Sequence, residues 1–377
     1  MPASPNPPVP PEPRSGVDRD RVRALKDAED ARFAAEHPRS AALLARAREV
    51  MPNGVPMSWH VGSYHHAPMF VAEGHGARFT DVDGHEYHDF NIADMSMFCG
   101  YAPEALVRAV SAQMARGNQF LLPGEDAIVV SEALRARFGL PKWQYTSSAT
   151  HANTEAIRVA RVVTGREKVI LFDGKYLGHF DETLVELDDD GRVVIEERGV
   201  PARTVDGTVL VPFNDPAALA RALERRDVAI VLTEAAITNN IGLLLPDDGF
   251  HAELRRLTRD SGTLLAIDET HTQVVGAGGL IRRWGLEPDI ATMGKSIAGG
   301  LPFGAWGMTD EVAEVLVQRK GPDGERANLV ATGGTIFGNA LAMAAARAVL
   351  TEILVPEAYA HTARLGERLA GGMRASV

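Results

Sequence analysis

The sequence predicts an α/β protein built on a mostly parallel sheet with helices on both faces, and two observations carry that reading. From Pro103 onward, stretches with helical periodicity alternate with short apolar runs, the signature of βαβ organisation. Two of the runs carry the chain's most informative residues: GTLLAID ends on Asp268, and IATMG leads to Lys295 in a glycine-rich setting of small residues with no other charge nearby.

The elements follow in order. Residues 1–18 form a proline-rich polar leader (MPASPNPPVPPEPRSG at its start) expected to be disordered, and residues 19–95 form an N-terminal segment of helices and a β-hairpin. In RDRVRALKDAEDARFAAEHPRSAALLARAREV the apolar residues recur at helical spacing between charged ones, which predicts one or two amphipathic helices. GARFTDVDGHEYHDF alternates apolar and polar residues around Asp83-Gly84, a pair suited to a tight turn, so two antiparallel strands are expected. Residues 96–335 form the large domain: EALVRAVSAQMARG and ATHANTEAIRVARVVTG read as helices, and WQYTSS, KVILFDG, VAIVLTEAA, GTLLAID, IATMG and FGAWGM as strands. Two helical runs, ALAMAAARAVLTEIL and PEAYAHTARLGERLAGGMRASV, occupy 336–377 with no strand after them, so this part reads as the start of an incomplete C-terminal small domain.

Composition narrows the classes of function. The chain has 377 residues, is 45% apolar and carries a formal charge of -11, which argues against a polyanion-binding surface and hence against nucleic acid. A single cysteine, Cys99, rules out an internal disulfide framework and suits a reducing compartment. With neither a bilayer-spanning apolar stretch nor the hydrophobic core of a signal peptide, the expected location is cytoplasmic, without a membrane partner.

Lys295 lies 27 positions after Asp268 (295 − 268), flanked by Met293, Gly294, Ser296 and Ile297 with no other charge nearby. Desolvation frees the lone pair of such an amine for Schiff-base chemistry. A buried carboxylate can hold a pyridine nitrogen protonated, so that the ring acts as an electron sink. Pyridoxal phosphate chemistry needs both groups. The rival reading of Gly294-Lys295-Ser296 as the end of a phosphate-binding P-loop fails, because the required glycine five residues earlier is Asp289.

Ser147, Ser148, Ala149 and Thr150 stand where WQYTSS runs into the next helix. The free amides and positive dipole end there make an anion seat suited to a cofactor phosphate, although Ser148 or Thr150 as a plain N-cap is the alternative. Tyr176, between glycines 174 and 178, can lie flat over a heterocycle or simply pack.

Taken in order, the hydroxyl-rich helix start, GKYLGH, TEAAITNN, IDETHT, GKS and GGTIFGN resemble the class III aminotransferases of fold type I, most closely the glutamate-1-semialdehyde aminomutase-like branch, over about Pro52 to Ala346. The resemblance implies pyridoxal 5'-phosphate as cofactor, Lys295 as its Schiff-base lysine, Asp268 as partner of the pyridine nitrogen and Tyr176 stacked on the ring. It further implies that Ser148, Ala149 and Thr150 hold the phosphate, that Glu234 closes the far side of the pocket, and that Thr335 reaches the phosphate of a neighbouring subunit in a homodimer with a shared site.

Several positions depart from the family pattern. His151 replaces a glutamate, Leu177 follows Tyr176 where the family writes histidine, Thr270 takes the place of the valine under the ring, and His271 stands where glutamine or methionine is usual. His271 can hydrogen-bond the phenolic oxygen of the cofactor, or be a satisfied supporting residue. The arginine that grips a substrate carboxylate in aminomutase and β-amino acid aminotransferase relatives has no counterpart in MPNGVPMSWHVGSYHHAPMF; Trp59, His60 and Tyr64 occupy that region and favour an aromatic or apolar substrate arm. The crowded His60, His65, His66, His75, His85 and His88 match no zinc spacing, so no metal is expected.

The leading expectation is an aminotransferase moving an amino group from an amine or amino acid donor to a carbonyl acceptor. A 2,1-aminomutase or a racemase uses the same residues, and a truncated, non-catalytic relative is the alternative of another class.

Overall fold

The computed structural model describes residues 18–62, 66–239, 242–317, 319–320, 326–327 and 330–376. The 1–17 part of the leader, together with Tyr64 and His65, lies outside the described residues. The chain divides into two compact units, Met1–Asp89 and Phe90–Val377.

In the first unit the helical stretch breaks at His37-Pro38 into α1 (Arg19–Glu36) and α2 (Pro38–Ala47), because proline cannot continue a helix but suits its first turn. A four-residue helix, α3 (Trp59–Gly62), precedes an antiparallel sheet of β1 (Val71–His75), β2 (Arg78–Asp81) and β3 (Glu86–His88). The Asp83-Gly84 turn joins β2 to β3 as expected, while β1 is a third strand paired with β2. The α2 helix has no side-chain cap of its own; the carboxylate of Asp83 accepts from the amides of Arg39 at 2.7 Å and Ser40 at 2.9 Å and supplies one from the turn.

Buried Asp81 organises the same turn. Its oxygens accept from the amides of Asp83 and His85 (2.9 Å each), the His85 ring (3.1 Å) and the Tyr87 hydroxyl (3.0 Å), and the His37 ring lies 3.2 Å away. Burial pushes this carboxyl up, but the bonds from His85 and Tyr87 outweigh it and bring its pKa down to about 2. Sequence spacing did not place His37 beside Asp81 and His85, whose ligand-type atoms lie within 4.8 Å of one another.

The second unit holds the large sheet. Its helices α4 (Glu104–Met114) and α5 (Glu125–Phe138) precede β4 (Lys142–Thr146), α6 (Ala149–Thr164) and β5 (Lys168–Phe172). A small antiparallel pair, β6 (Val185–Leu187) and β7 (Val193–Ile195), leads through α7 (Thr204–Gly207) to β8 (Thr208–Val211), α8 (Pro216–Leu223) and β9 (Val228–Glu234). Then come α9 (Phe250–Ser261), β10 (Leu264–Asp268), α10 (Gly279–Trp284), β11 (Ile290–Met293), β12 (Gly304–Met308), α11 (Asp310–Ala313), α12 (Ala340–Ala348) and α13 (Pro356–Ala375). The seven strands lie in the order β4-β12-β11-β10-β9-β5-β8, parallel except for β12, which runs against both its neighbours.

Successive side chains of a strand point to opposite faces, and both faces are apolar here. Ile170, Phe172, Val231, Leu265 and Ile267 join one core with α5, α8, α9 and α12, whereas Leu171, Ile230, Leu232 and Ala266 join another with α6. Helices therefore cover both faces, as expected.

Candidate active site

The carboxyl ends of β9, β10 and β11 deliver Glu234, Asp268 and, just beyond, Lys295 to one edge of the sheet. Asp268 pairs in register with Glu234 on one side and Thr292 on the other. Crevices at the carboxyl ends of parallel strands are where α/β proteins bind ligands. The cleft there is about 230 Å³ and is lined by Ser147, Ser148, Ala149, Thr150, Tyr176, Glu234, Asp268, Thr270, His271 and Lys295, with Ser96, Gly178 and residues 300–303 completing the wall.

Asp268 is 4% exposed. Its Oδ2 accepts from the Asn153 side-chain amide at 2.7 Å and its Oδ1 from the Thr270 backbone amide at 2.8 Å. Burial still drives its pKa up, opposed by hydrogen bonds from Thr270 and Asn153 and reinforced by the charge of Glu234, and among the described residues no cation pairs with it. The Asn153 amide is itself oriented: it donates to Leu177 O as well, while its carbonyl accepts from the Thr292 hydroxyl at 2.5 Å.

Lys295 follows β11 in a left-handed conformation (φ 55°), a strained backbone for a non-glycine residue and one that collects at functional sites. Its side chain is 18% exposed; Nζ lies 2.7 Å from Asp94 Oδ2 and 2.5 Å from His271 Nε2. The Gln273 amide donates to Thr270 O and Gly294 O, tying the loop after Asp268 to the loop that carries the lysine.

Ser148 is the N-cap of α6, its hydroxyl accepting from the His151 amide, and Ser147, Ala149 and Thr150 surround the same helix start. Glycines press the neighbouring loops onto it. A Cβ at Gly178, whose φ is +105°, would stand 2.7 Å from the Thr150 hydroxyl, and one at Gly304 would stand 2.2 Å from Ser148 O. Tyr176 is half-buried, and burial, then the charges of Asp94 and Asp268, raise its pKa to about 12. Thr270 contributes a buried hydroxyl without a hydrogen-bond partner. Glu234, 3% exposed, accepts from the Thr238 hydroxyl, which lies 2.7 Å from His271 Nδ1.

Three expected residues do not line this cleft. Thr335 is exposed, its carbonyl accepting from the Gln119 side chain, and Trp59 and His60 lie in α3 of the first unit, where Trp59 is 45% exposed. His151 is exposed beside Phe337. Asn153, Asp94, Thr238 and Gln273 belong to the site but carry no local signal in sequence; each acts across a fold-made contact.

Residues 61–376 match the family model described as aminotransferase class III. The chain belongs to the class III aminotransferase family. It is 38% identical over 324 residues, 84% of this chain and 74% of the relative, to a glutamate-1-semialdehyde 2,1-aminomutase of Nitratidesulfovibrio vulgaris (strain DSM 19637 / Miyazaki F). Its fold matches the crystal structure of a glutamate-1-semialdehyde aminomutase from Pseudomonas aeruginosa PAO1, a lysine-to-alanine variant in complex with PMP, with a TM-score of 0.90 and 41% identity over 96% of this chain and 80% of that one. A β-phenylalanine aminotransferase from Variovorax paradoxus aligns with a TM-score of 0.80 and 29% identity, covering 92% of this chain and 76% of that one. The class III chain described here thus has the fold type I architecture and uses pyridoxal 5'-phosphate. Its residues fit that group: a buried carboxylate short of a cation, an orphaned Thr270 hydroxyl, and a glycine-cradled helix start for a phosphate.

Proposed function

We propose that this class III enzyme moves an amino group between adjacent carbons of one substrate, as a 2,1-aminomutase of the glutamate-1-semialdehyde type. The observation that carries amino-group chemistry is the convergence of Lys295, Asp268 and the α6 N-terminus on one cleft. The names of the relatives favour the intramolecular outcome over transfer to a second molecule.

When bound, pyridoxal phosphate supplies a carbonyl that links to primary amines and a ring that takes up electrons from the bond broken at the substrate carbon. Asp268 would hold a proton on the ring nitrogen, for which its burial and lack of a cation suit it. Lys295 would carry the cofactor and then, once freed, move a proton at Nζ. The amides around Ser148, Ala149 and Thr150 would seat the phosphate, Tyr176 and Thr270 would flank the ring, and His271 would reach its phenolic oxygen. Thr335, exposed on one subunit, would meet the phosphate of the other in a homodimer. We place the enzyme in the cytoplasm; among the described residues no helix is long and apolar enough to cross a membrane.

A second reading, intermolecular transamination of an amine or amino acid with an apolar arm, is supported by one observation. Among the described residues lining the cleft, Lys295 is the only lysine or arginine, so no fixed arginine is present to grip a substrate carboxylate. Such a bidentate contact gives on the order of 1.5–3 kcal/mol. Incubation with glutamate-1-semialdehyde alone, against an arylalkylamine or an aromatic β-amino acid with a keto-acid acceptor, separates the two. Turnover of the semialdehyde without any acceptor supports the aminomutase. Turnover confined to the donor–acceptor pairs refutes it in favour of transamination.

A further inference from the structure

We propose that His271 is the proton acceptor for Lys295, fixed in the required tautomer by Thr238 and, through it, by Glu234. The proposal rests on the assignment of Lys295 as the reactive amine. Three hydrogen bonds form one directional chain. The Thr238 hydroxyl donates to Glu234 Oε1, which can only accept while ionised. The oxygen of that hydroxyl then accepts, so His271 Nδ1, 2.7 Å away, is the nitrogen that carries hydrogen. His271 Nε2 is left with a bare lone pair, and it lies 2.5 Å from Lys295 Nζ. A histidine whose Nδ1–H is held and whose Nε2 faces the nucleophile is the arrangement that activates nucleophiles elsewhere.

The step is a simple transfer. An N–H bond of the Lys295 ammonium breaks, a bond from that proton to Nε2 forms, and the lysine is left as the neutral amine. The imidazolium lies 3.5 Å from Glu234 Oε1, a buried charge that stabilises it. Asp94, on the other side of Nζ, favours the ammonium and opposes the transfer, but its side chain is 59% exposed and screened by solvent. Asp268 and Tyr176 complete the titratable groups lining the cleft. His271 touches the reacting nitrogen, whereas Thr238 and Glu234 act only as positioning residues.

The test needs no cofactor. Trace acetylation of the cofactor-free protein, with the Lys295 peptide quantified by mass spectrometry across pH, reads the reactivity of that amine directly. At neutral pH His271→Asn is expected to label about a hundredfold more slowly than the parent, the lower end of what a positioned base contributes. The two are expected to converge at strongly alkaline pH, where hydroxide takes the place of the histidine as base. Added imidazole is expected to restore labelling in His271→Ala and to leave the parent unchanged. Nitrogen-15 shifts of the His271 ring should report hydrogen on Nδ1, and Thr238→Val, which keeps the histidine, should shift the ring toward a mixture of tautomers. Equal labelling of parent and His271→Asn at every pH, loss of labelling without imidazole rescue, or hydrogen on Nε2 in the parent would each overturn the proposal. Failure of the parent to take up pyridoxal phosphate would sink the proposed function instead, and leaves this measurement standing on its own.

Discussion

The side-chain amide of Asn153 donates to Asp268 Oδ2 at 2.7 Å across 115 residues of sequence, and it also donates to Leu177 O. With its carbonyl accepting from Thr292, this buried asparagine has one orientation only. Asn153→Ala removes a hydrogen bond from three buried partners and should cost about 1–3 kcal/mol of stability for each one left unsatisfied. Asn153→Asp places a second carboxyl against Asp268 and should weaken cofactor binding far more than it lowers stability, which titration with pyridoxal phosphate beside a denaturant melt will separate.

Asp268→Asn keeps the shape of the side chain and removes its charge. Cofactor should be retained while kcat falls by roughly 10²–10³, the size of effect seen when one preorganised electrostatic partner is lost. Near-normal single-turnover rates in the variant would contradict the role given to Asp268.

Lys295→Ala should bind pyridoxal phosphate, because the α6 N-terminus and Asp268 do not depend on the lysine, yet lose the visible absorption of a lysine-linked cofactor and with it turnover. Absorbance and a cofactor-retention assay on the same sample check both halves.

Gly178→Ala puts a methyl 2.7 Å from the Thr150 hydroxyl and 2.9 Å from its Cα, at a φ of +105° that a side chain rarely adopts. The strain of about 1–3 kcal/mol falls on the helix start assigned to the phosphate. A rise in the Kd for pyridoxal phosphate is expected, with a smaller rise for pyridoxal, which lacks that group.

Two carboxyls pull stability in opposite directions with pH. Asp81, lowered to about 2, stabilises its unit fully above the ordinary carboxyl range, and that contribution disappears as pH falls through about 2. Glu269 is fully buried and is raised to about 7, mainly by burial, against hydrogen bonds from Thr272, Ile281 and Leu280. Its protonated form is favoured by the fold, so its contribution is complete below its ordinary value and is lost as pH rises toward about 7, to the extent of about 3 kcal/mol. Thermal melts of Glu269→Gln should show a flatter trend than the parent across that interval, and Asp81→Asn should flatten the acid limb instead.

Much of the sheet was legible in the sequence, because β5, β9, β10, β11 and β12 are apolar runs buried on both faces. The four-residue β8 and the β6–β7 pair were not, since runs so short carry no period. Helix α5 also escaped: Val130, Leu134 and Phe138 make its buried stripe, but Ile128 is 60% exposed and blurs it. At the site, Lys295 stood out because no other charge lies near it in the sequence, and Asp268 because it ends the apolar run TLLAID. Asp94, 201 residues from Lys295, and Thr238, 33 from His271, acquire their roles only through the folded contact. Thr335 came from the resemblance alone, and Trp59 and His60 from the stretch where relatives carry an arginine; none of the three is among the described residues lining the cleft.

The reversal of β12 has a consequence for how this scaffold can change. The strands β9, β10 and β11 are linked through crossover helices, but β11 passes to β12, its antiparallel neighbour, through residues 294–303 alone, and both ends of that link are sewn into the sheet. The reactive amine therefore rides on a short bridge with two fixed abutments, while most of the cleft wall hangs from separate elements. Insertions and substitutions in those other walls can redraw which molecules enter without shifting the nitrogen that meets them, whereas a single residue added to the bridge displaces the chemistry itself.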